Sequence, residues 1–214
     1  MASKTEIANM AISHLGIGKE IANLESEKSE EAKACRRFYE TAKENVLGDL
    51  DWTFATKFVT LNLIEENPTT EWRYSYKYPV DCVNMRRILS GLRDDTQESR
   101  IHYRIVTDDS GKVIFTDAEN AELEYTRNLN DTSLFSSEFN LALSFYLASL
   151  TGARLTGGDP FKIKQEMMAQ YQMELGRAKK KNMNEEVTVA EHESDLIRAR
   201  GGTDNRIRYD RYEL

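Results

Sequence analysis

The amino-acid sequence predicts an α+β protein: a helical bundle of about four helices with an inserted antiparallel β domain and an extended C-terminal arm. Three observations carry this. Within 214 residues, apolar side chains recur at helical spacing near both ends, alternate with polar ones in between, and thin out in the last thirty or so positions. The segments are 1–53 and 131–183 for the bundle, 54–130 for the β insert, and 184–214 for the arm.

Ser3-Lys4-Thr5-Glu6 has the spacing of a capping box, in which serine and glutamate satisfy each other's ends of the first helical turn. Ile7, Met10, Ala11 and Leu15 follow at helical spacing, and Gly16 and Gly18 supply the stop. A connection with Ile21 and Leu24 leads to Ser29, whose following Glu30 and Glu31 suit the positive end of a second helix. The stripe of that helix is Ala32, Cys35, Phe38, Tyr39, Ala42, Val46 and Leu47, ending near Gly48. Helices this short need another surface to pack on.

From Trp52 the period becomes two. Val59, Leu61 and Leu63 alternate with Thr60 and Asn62, and Trp72, Tyr74, Tyr76 and Tyr78 share a face opposite Arg73, Ser75 and Lys77. Pro79 ends that strand or sets it at an edge, and Val83, Met85, Ile88 and Leu89 suggest a third. Ile101, Tyr103 and Ile105 alternate again before Asp108-Asp109-Ser110-Gly111, a hairpin turn into 112–116. A turn at 117–120 precedes Leu123 and Tyr125.

Ser136 or Ser137 caps a third helix with Phe139, Ala142, Leu143, Tyr146, Leu147 and Leu150 on one side and Leu141, Phe145 and Ala148 on others, so it is expected to be the most buried. Thr156-Gly157-Gly158 breaks it. Asp159-Pro160 restarts a fourth helix, with proline where its missing N–H costs nothing, striped by Ile163, Met167, Tyr171 and Leu175 and basic towards Lys181. The arm has no continuous apolar face and is interrupted by Gly201-Gly202. Read alone it is a solubilising tail. Its arginines nevertheless alternate with Ile207, Tyr209 and Tyr212, residue types enriched where a chain orders against a protein partner.

The formal net charge is -7 from 29 Lys+Arg against 36 Asp+Glu, which argues against a protein that coats nucleic acid. No apolar run approaches the length of a membrane span, and the N-terminus lacks a signal-peptide core, so a soluble, cytoplasmically made protein is expected. Two cysteines, Cys35 and Cys82, are too few for a disulfide framework or a zinc site and read as small buried hydrophobes. His14, His102 and His192 have no metal-binding spacing, there is no phosphate-binding glycine loop or G-x-S-x-G elbow, and no cofactor is expected. The acid pairs Glu65-Glu66, Asp94-Asp95 and Asp108-Asp109 read as solvated loop decoration, and no catalytic residue is assigned. The Trp72 to Tyr78 ladder reads as a packed sheet face, with a stacking platform for single-stranded nucleic acid or sugar as the competing reading.

One order of elements stands out: a helix 7–16 ending in Leu15-Gly16, the Ile21 to Leu24 connection, a helix with Glu31-Ala32 and Cys35 running to Leu47 and Leu50, then Asp51-Trp52-Thr53-Phe54-Ala55 entering a strand. With Tyr78-Pro79-Val80-Asp81-Cys82 and the helix 141–155 before Thr156-Gly157-Gly158, this resembles the head-to-tail adaptor proteins of tailed bacteriophages, of the tail tubular protein A type. The resemblance spans about residues 5–180. It implies a non-enzymatic virion protein at the head–tail interface: a ring, usually of twelve copies, beneath the portal, joined on its far side to a tail or nozzle protein, with DNA passing through the lumen without specific binding. Residues 184–214 stand where the portal-docking arm would be, which makes Arg198, Arg200, Arg206, Arg208, Tyr209, Arg211 and Tyr212 its expected portal contacts. An acidic lumen wall would let DNA slide without sticking. The alternatives are a long-tailed phage adaptor meeting a stopper protein, and a tail accessory peptidoglycan hydrolase.

Overall fold

The computed structural model describes residues 2–92, 99–108 and 111–185. Four helices and two antiparallel sheets form the α+β fold, with the β region inserted between the second and third helices.

Helix α1 (Lys4–His14) opens with the capping box: Ser3 Oγ accepts from Glu6 N–H and the Glu6 carboxylate accepts from Ser3 N–H. It closes in a Schellman turn, because Gly16 takes φ +74° and lets Ile17 N–H reach the Ile12 carbonyl and Gly16 N–H the Ser13 carbonyl. Helix α2 (Glu30–Asp49) starts on Ser29 as predicted. Helix α3 (Ser137–Leu155) starts on Ser136, whose Oγ accepts from Phe139 N–H. Ten of its residues are buried, and its hydroxyls at Ser144, Ser149 and Thr151 donate to carbonyls one turn back, which removes the cost of burying them. Asp159 Oδ1 accepts from Phe161 N–H to open helix α4 (Pro160–Glu185).

The helices share one core, including Ile7, Ile12, Leu47, Phe139, Leu147 and Tyr171. Gly152 sets the spacing of α3, α4 and the end of α1: a Cβ there would stand 2.7 Å from Ile163 Cγ2 and 3.1 Å from Leu15 Cδ2. Two side chains with polar tips are buried, Lys43 off the predicted stripe of α2 and Tyr171 on that of α4. Lys43 is fully buried in α2, its ammonium donating to Asn130 Oδ1 at 2.6 Å and pairing with Glu40 at 2.6 Å. Tyr171 donates to the Asp49 carboxylate, and burial together with that carboxylate pushes its phenol well above the usual range.

The β region is two sheets, ordered β1-β7-β4 and β2-β3-β6-β5, where β1 is Thr56–Thr60, β2 Leu63–Glu66, β3 Tyr74–Lys77, β4 Cys82–Ile88, β5 Tyr103–Asp108, β6 Gly111–Thr116 and β7 Glu122–Arg127. They enclose a second core of Leu61, Tyr76, Met85, Ile88, Ile114, Ala121, Leu123 and Tyr125. The predicted alternation Val59, Leu61, Leu63 is therefore not one strand. The chain leaves β1 at Thr60, buries Leu61 between the sheets and begins β2 in the other sheet, where Leu63 is 49% exposed. Met85 and Ile88, three apart, both face the core because a bulge shifts the register between Met85 and Arg87. Strands β5 and β6 pair with Asp108 opposite Gly111 as the hairpin reading requires, and Asp109 and Ser110 lie outside the described residues.

Candidate interaction surface

Two features join the layers and fix where the arm begins. The first is aromatic. Trp52, at the end of the helical pair, donates its indole N–H to the Val46 carbonyl at 2.8 Å and meets Phe139 edge-on at 5.0 Å. Phe54 packs on both Phe135 and Phe139. The chain thus enters the β region and leaves it through one aromatic cluster. The second is Arg86 on β4, whose side chain is 8% exposed. Its guanidinium donates to Thr126 Oγ1, Thr56 Oγ1 and the Trp52 carbonyl, and pairs with Asp51 at 3.2 Å and Glu124 at 3.5 Å. A planar fork with five donors serves five acceptors on three elements at once.

The last turns of α4 are tied to this junction. Asn182 Nδ2 donates to the Asp51 carbonyl, Asn182 Oδ1 accepts from Thr53 N–H at 3.3 Å, and Lys181 pairs with Glu138 at 2.7 Å, holding that carboxyl below its ordinary range. The seven expected portal contacts, Arg198, Arg200, Arg206, Arg208, Tyr209, Arg211 and Tyr212, lie outside the described residues, and only the point from which their segment departs is in view.

The aromatic ladder divides. Tyr76 is buried in the second core, where Tyr74 and Tyr78 pack on it, and its hydroxyl donates to the Ala118 carbonyl. Trp72 leaves the ladder. Thr69 Oγ1 accepts from the N–H groups of Glu71 and Trp72, which turns the chain before β3 begins, and Trp72 lies with Phe115, Arg104 and Val106 along a shallow depression on the opposite sheet face. Strand alternation holds only inside the strand, and β3 starts at Tyr74. The four rings therefore do not form one stacking surface.

A larger groove of the four-stranded sheet is lined by Ile64, Lys77, Tyr78, Pro79, Val80, Cys82, Lys112 and Val113. Lys112 stands 5.4 Å over the Tyr78 ring. Beside it, Asp81 pairs with Lys57 at 2.8 Å and accepts from the Tyr125 hydroxyl at 2.8 Å, fixing the turn that carries the groove's Val80.

Among the described residues no cluster of three or more His, Cys, Asp and Glu side chains could hold a metal ion, and no helix is long and apolar enough to cross a membrane. His14 stacks on Phe145 at 3.9 Å, lies 3.0 Å from Ser144 Oγ, and is lowered in pKa by burial. The carbonyl of His102 accepts from Thr116 Oγ1, and His192 lies outside the described residues, as do Asp94 and Asp95. Glu65 and Glu66 are exposed on β2.

Cys35 is fully buried and burial pushes its thiol up to about 12, whereas Cys82 is half-buried and raised by burial as well. Thiolate is the reactive form. In the native protein at pH 8, Ellman's reagent should leave Cys35 untouched and modify Cys82 slowly, with both thiols reacting at once in denaturant. Two rapidly reacting thiols in the native state would contradict the packing of α2.

Comparison with known proteins adds no assignment: the chain matches no protein-family model, and no curated protein matches its sequence.

Sequence reasoning missed Asn182, Lys43 and Arg86. The first two carry no local signal, since a polar residue late in a helix and a lysine on an amphipathic one are ordinary. Arg86 had one: the parity break from Met85 to Ile88 marks the bulge that turns it towards the helices.

Proposed function

We propose that the protein is a structural subunit of a bacteriophage head-to-tail adaptor: copies form a closed ring beneath the portal, residues 184–214 join the portal, and the lumen passes DNA without gripping it. No catalytic step belongs to this role. A head-to-tail contact repeated about a closed rotation makes such a ring. The reading rests on the family resemblance, and one structural observation carries it further. Segments on which the resemblance rests hold the junctions of the insertion: Trp52 and Phe54 join the bundle at Phe139, and Asp81 of the Tyr78 to Cys82 step ties β1 to the neighbouring turn. They behave as a framework for the insertion, as short signatures shared by chance need not. The helix order around that insertion supports the same reading.

The test is native mass spectrometry of the full chain mixed with the portal protein of the same genome. A complex with one copy per portal subunit, or a ring of defined size, is expected. A chain lacking residues 186–214 keeps every described contact and should fold but fail to bind the portal. Failure of the full chain to bind at any ratio would overturn the adaptor role, and portal binding by the truncated chain would overturn the role of the arm.

A further inference from the structure

The four-stranded sheet has one face in the second core and one turned away from the helices. Tyr76 and Ile114 oppose each other in register and are buried in that core, so Phe115 and Arg104, a register pair one position on, stand on the other face. The three-stranded sheet lies between the second core and the bundle. Leu123 and Tyr125 of β7 enter the core, while Thr126 turns the other way to meet Arg86, which reaches the Trp52 carbonyl. The Phe115 face is therefore the end of the molecule farthest from the bundle.

There Phe115, Val106 and Trp72 line a depression of about 280 Å³, with Arg104 and Glu71 beside them. Both charges are exposed, and neither makes an ion pair among the described residues. The loop carrying Trp72 is anchored on both sides of the ring, by Thr69 Oγ1 before it and by the bond from Arg73 N–H to Asp117 after it.

The opposite end of the molecule carries a protrusion of matching chemistry. Phe161, in the first turn of α4, is 84% exposed, and the neighbouring Lys162 is 74% exposed, with Glu166 4.0 Å away. Helical rise puts Phe161 about 30 Å along α4 from Asn182, the residue that meets the junction with the β region. The depression lies beyond that junction, across both sheets, so the ring cannot fill the depression of its own chain.

We propose that Phe161 of one copy enters the depression of the next, its ring against Trp72 and Phe115 and its Lys162 facing Glu71. An aromatic anchor seated in a pocket with charges at the rim is the usual energetic centre of an interface. The two patches differ, so the contact is heterologous and repeats into a ring or an open chain. This contact rests on the adaptor reading for its closure into a ring.

The test uses full chains without portal. Isotope-labelled Phe161→Ala, which keeps the depression and lacks the ring, is titrated with unlabelled Trp72→Ala, which keeps the ring and lacks a wall of the depression. Only one contact per pair can then form. Phe161 is exposed and Trp72 sits on a loop outside both cores, so both variants should fold; Thr70→Arg, which fills the depression from an exposed position, serves as a second blocked partner. The Trp72 indole N–H resonance, assigned by its absence from Trp72→Ala, should shift saturably with a Kd of about 1 mM or tighter. Unlabelled Phe161→Ala should leave it still. Lys162→Glu in the ring-bearing partner should weaken binding about threefold, and Glu71→Lys in the labelled chain should restore it. An unmoved Trp72 indole, an equal shift with Phe161→Ala, or a charge swap that restores nothing would overturn the proposal. Portal binding by the full chain, measured separately, would still decide the adaptor reading.

Discussion

Replacing Trp52 by alanine should destabilise the protein by about 3–5 kcal/mol, the range for truncating a large buried aromatic. For a chain of this length that corresponds to a fall of about 6–20 °C in Tm. The indole is 2% exposed, packs against Phe54 and Phe139, and donates its N–H to the Val46 carbonyl, near the end of α2. Its loss opens a cavity at the point where the chain passes from bundle to sheet, and the surrounding helices, pinned by Tyr171 to Asp49 and by Asn182 to Asp51, can close only part of it. Trp52→Phe should recover most of the packing and leave the carbonyl without its donor, at a cost of about 1–3 kcal/mol. Thermal melts of the three proteins check this. A Tm for Trp52→Ala within about 3 °C of the wild type would mean that the aromatic cluster does not bear the junction.

Arg86→Ala should cost a similar amount, about 3–5 kcal/mol, because it breaks a buried charge network while leaving its acceptors in place. Glu124, itself 8% exposed, would keep only Arg87 at 2.6 Å, and Thr56, Thr126 and the Trp52 carbonyl would each lose a donor. Arg86→Lys should recover little, since a single ammonium cannot address acceptors on β1, β7 and the Asp51–Trp52 turn together. Urea unfolding measures both. Hydrogen exchange adds a spatial reading: the amides of β1, β4 and β7 should exchange faster in Arg86→Ala while those of α3 change less. A uniform rise in exchange, or a stability within about 1 kcal/mol of the wild type for Arg86→Ala, would show that the sheet is joined to the bundle by apolar contact alone.

The legible parts of this fold are those whose cause is local. Ser3, Ser29 and Ser136 cap helices in the structure as their spacing indicates, and Asp159-Pro160 opens the fourth, because a cap is decided within one turn of chain. Gly16 ends α1 for an equally local reason, its positive φ. The β region was legible as strands but not as sheets. Leu61 and Leu63 sit two apart and read as one face, yet one lies between the sheets and the other is half exposed, because β1 pairs with β7, more than sixty positions on, while β2 pairs with β3 in the other sheet. Trp72 is the same lesson at shorter range, turned off the ladder by Thr69 and by Asp117, which accepts from Arg73 N–H. The proposed portal contacts, by contrast, are read from sequence and resemblance alone.

The sequence by itself determined the class of the protein: four amphipathic helices around a β insertion and an arm with charge and tyrosine but no core of its own. Those properties follow from periodicity, caps and composition, each a sum over neighbours. Only the tertiary structure decided that Lys43 would be buried on Asn130, that Arg86 would join three elements, that Trp72 would leave the tyrosine ladder, and that an apolar groove would open beside Lys77 and Lys112. The physical reason is the same for each. A buried charge is tolerable only where distant partners converge on it, and a groove exists only where two strands and a turn leave a gap, so both are properties of packing that no window of sequence contains.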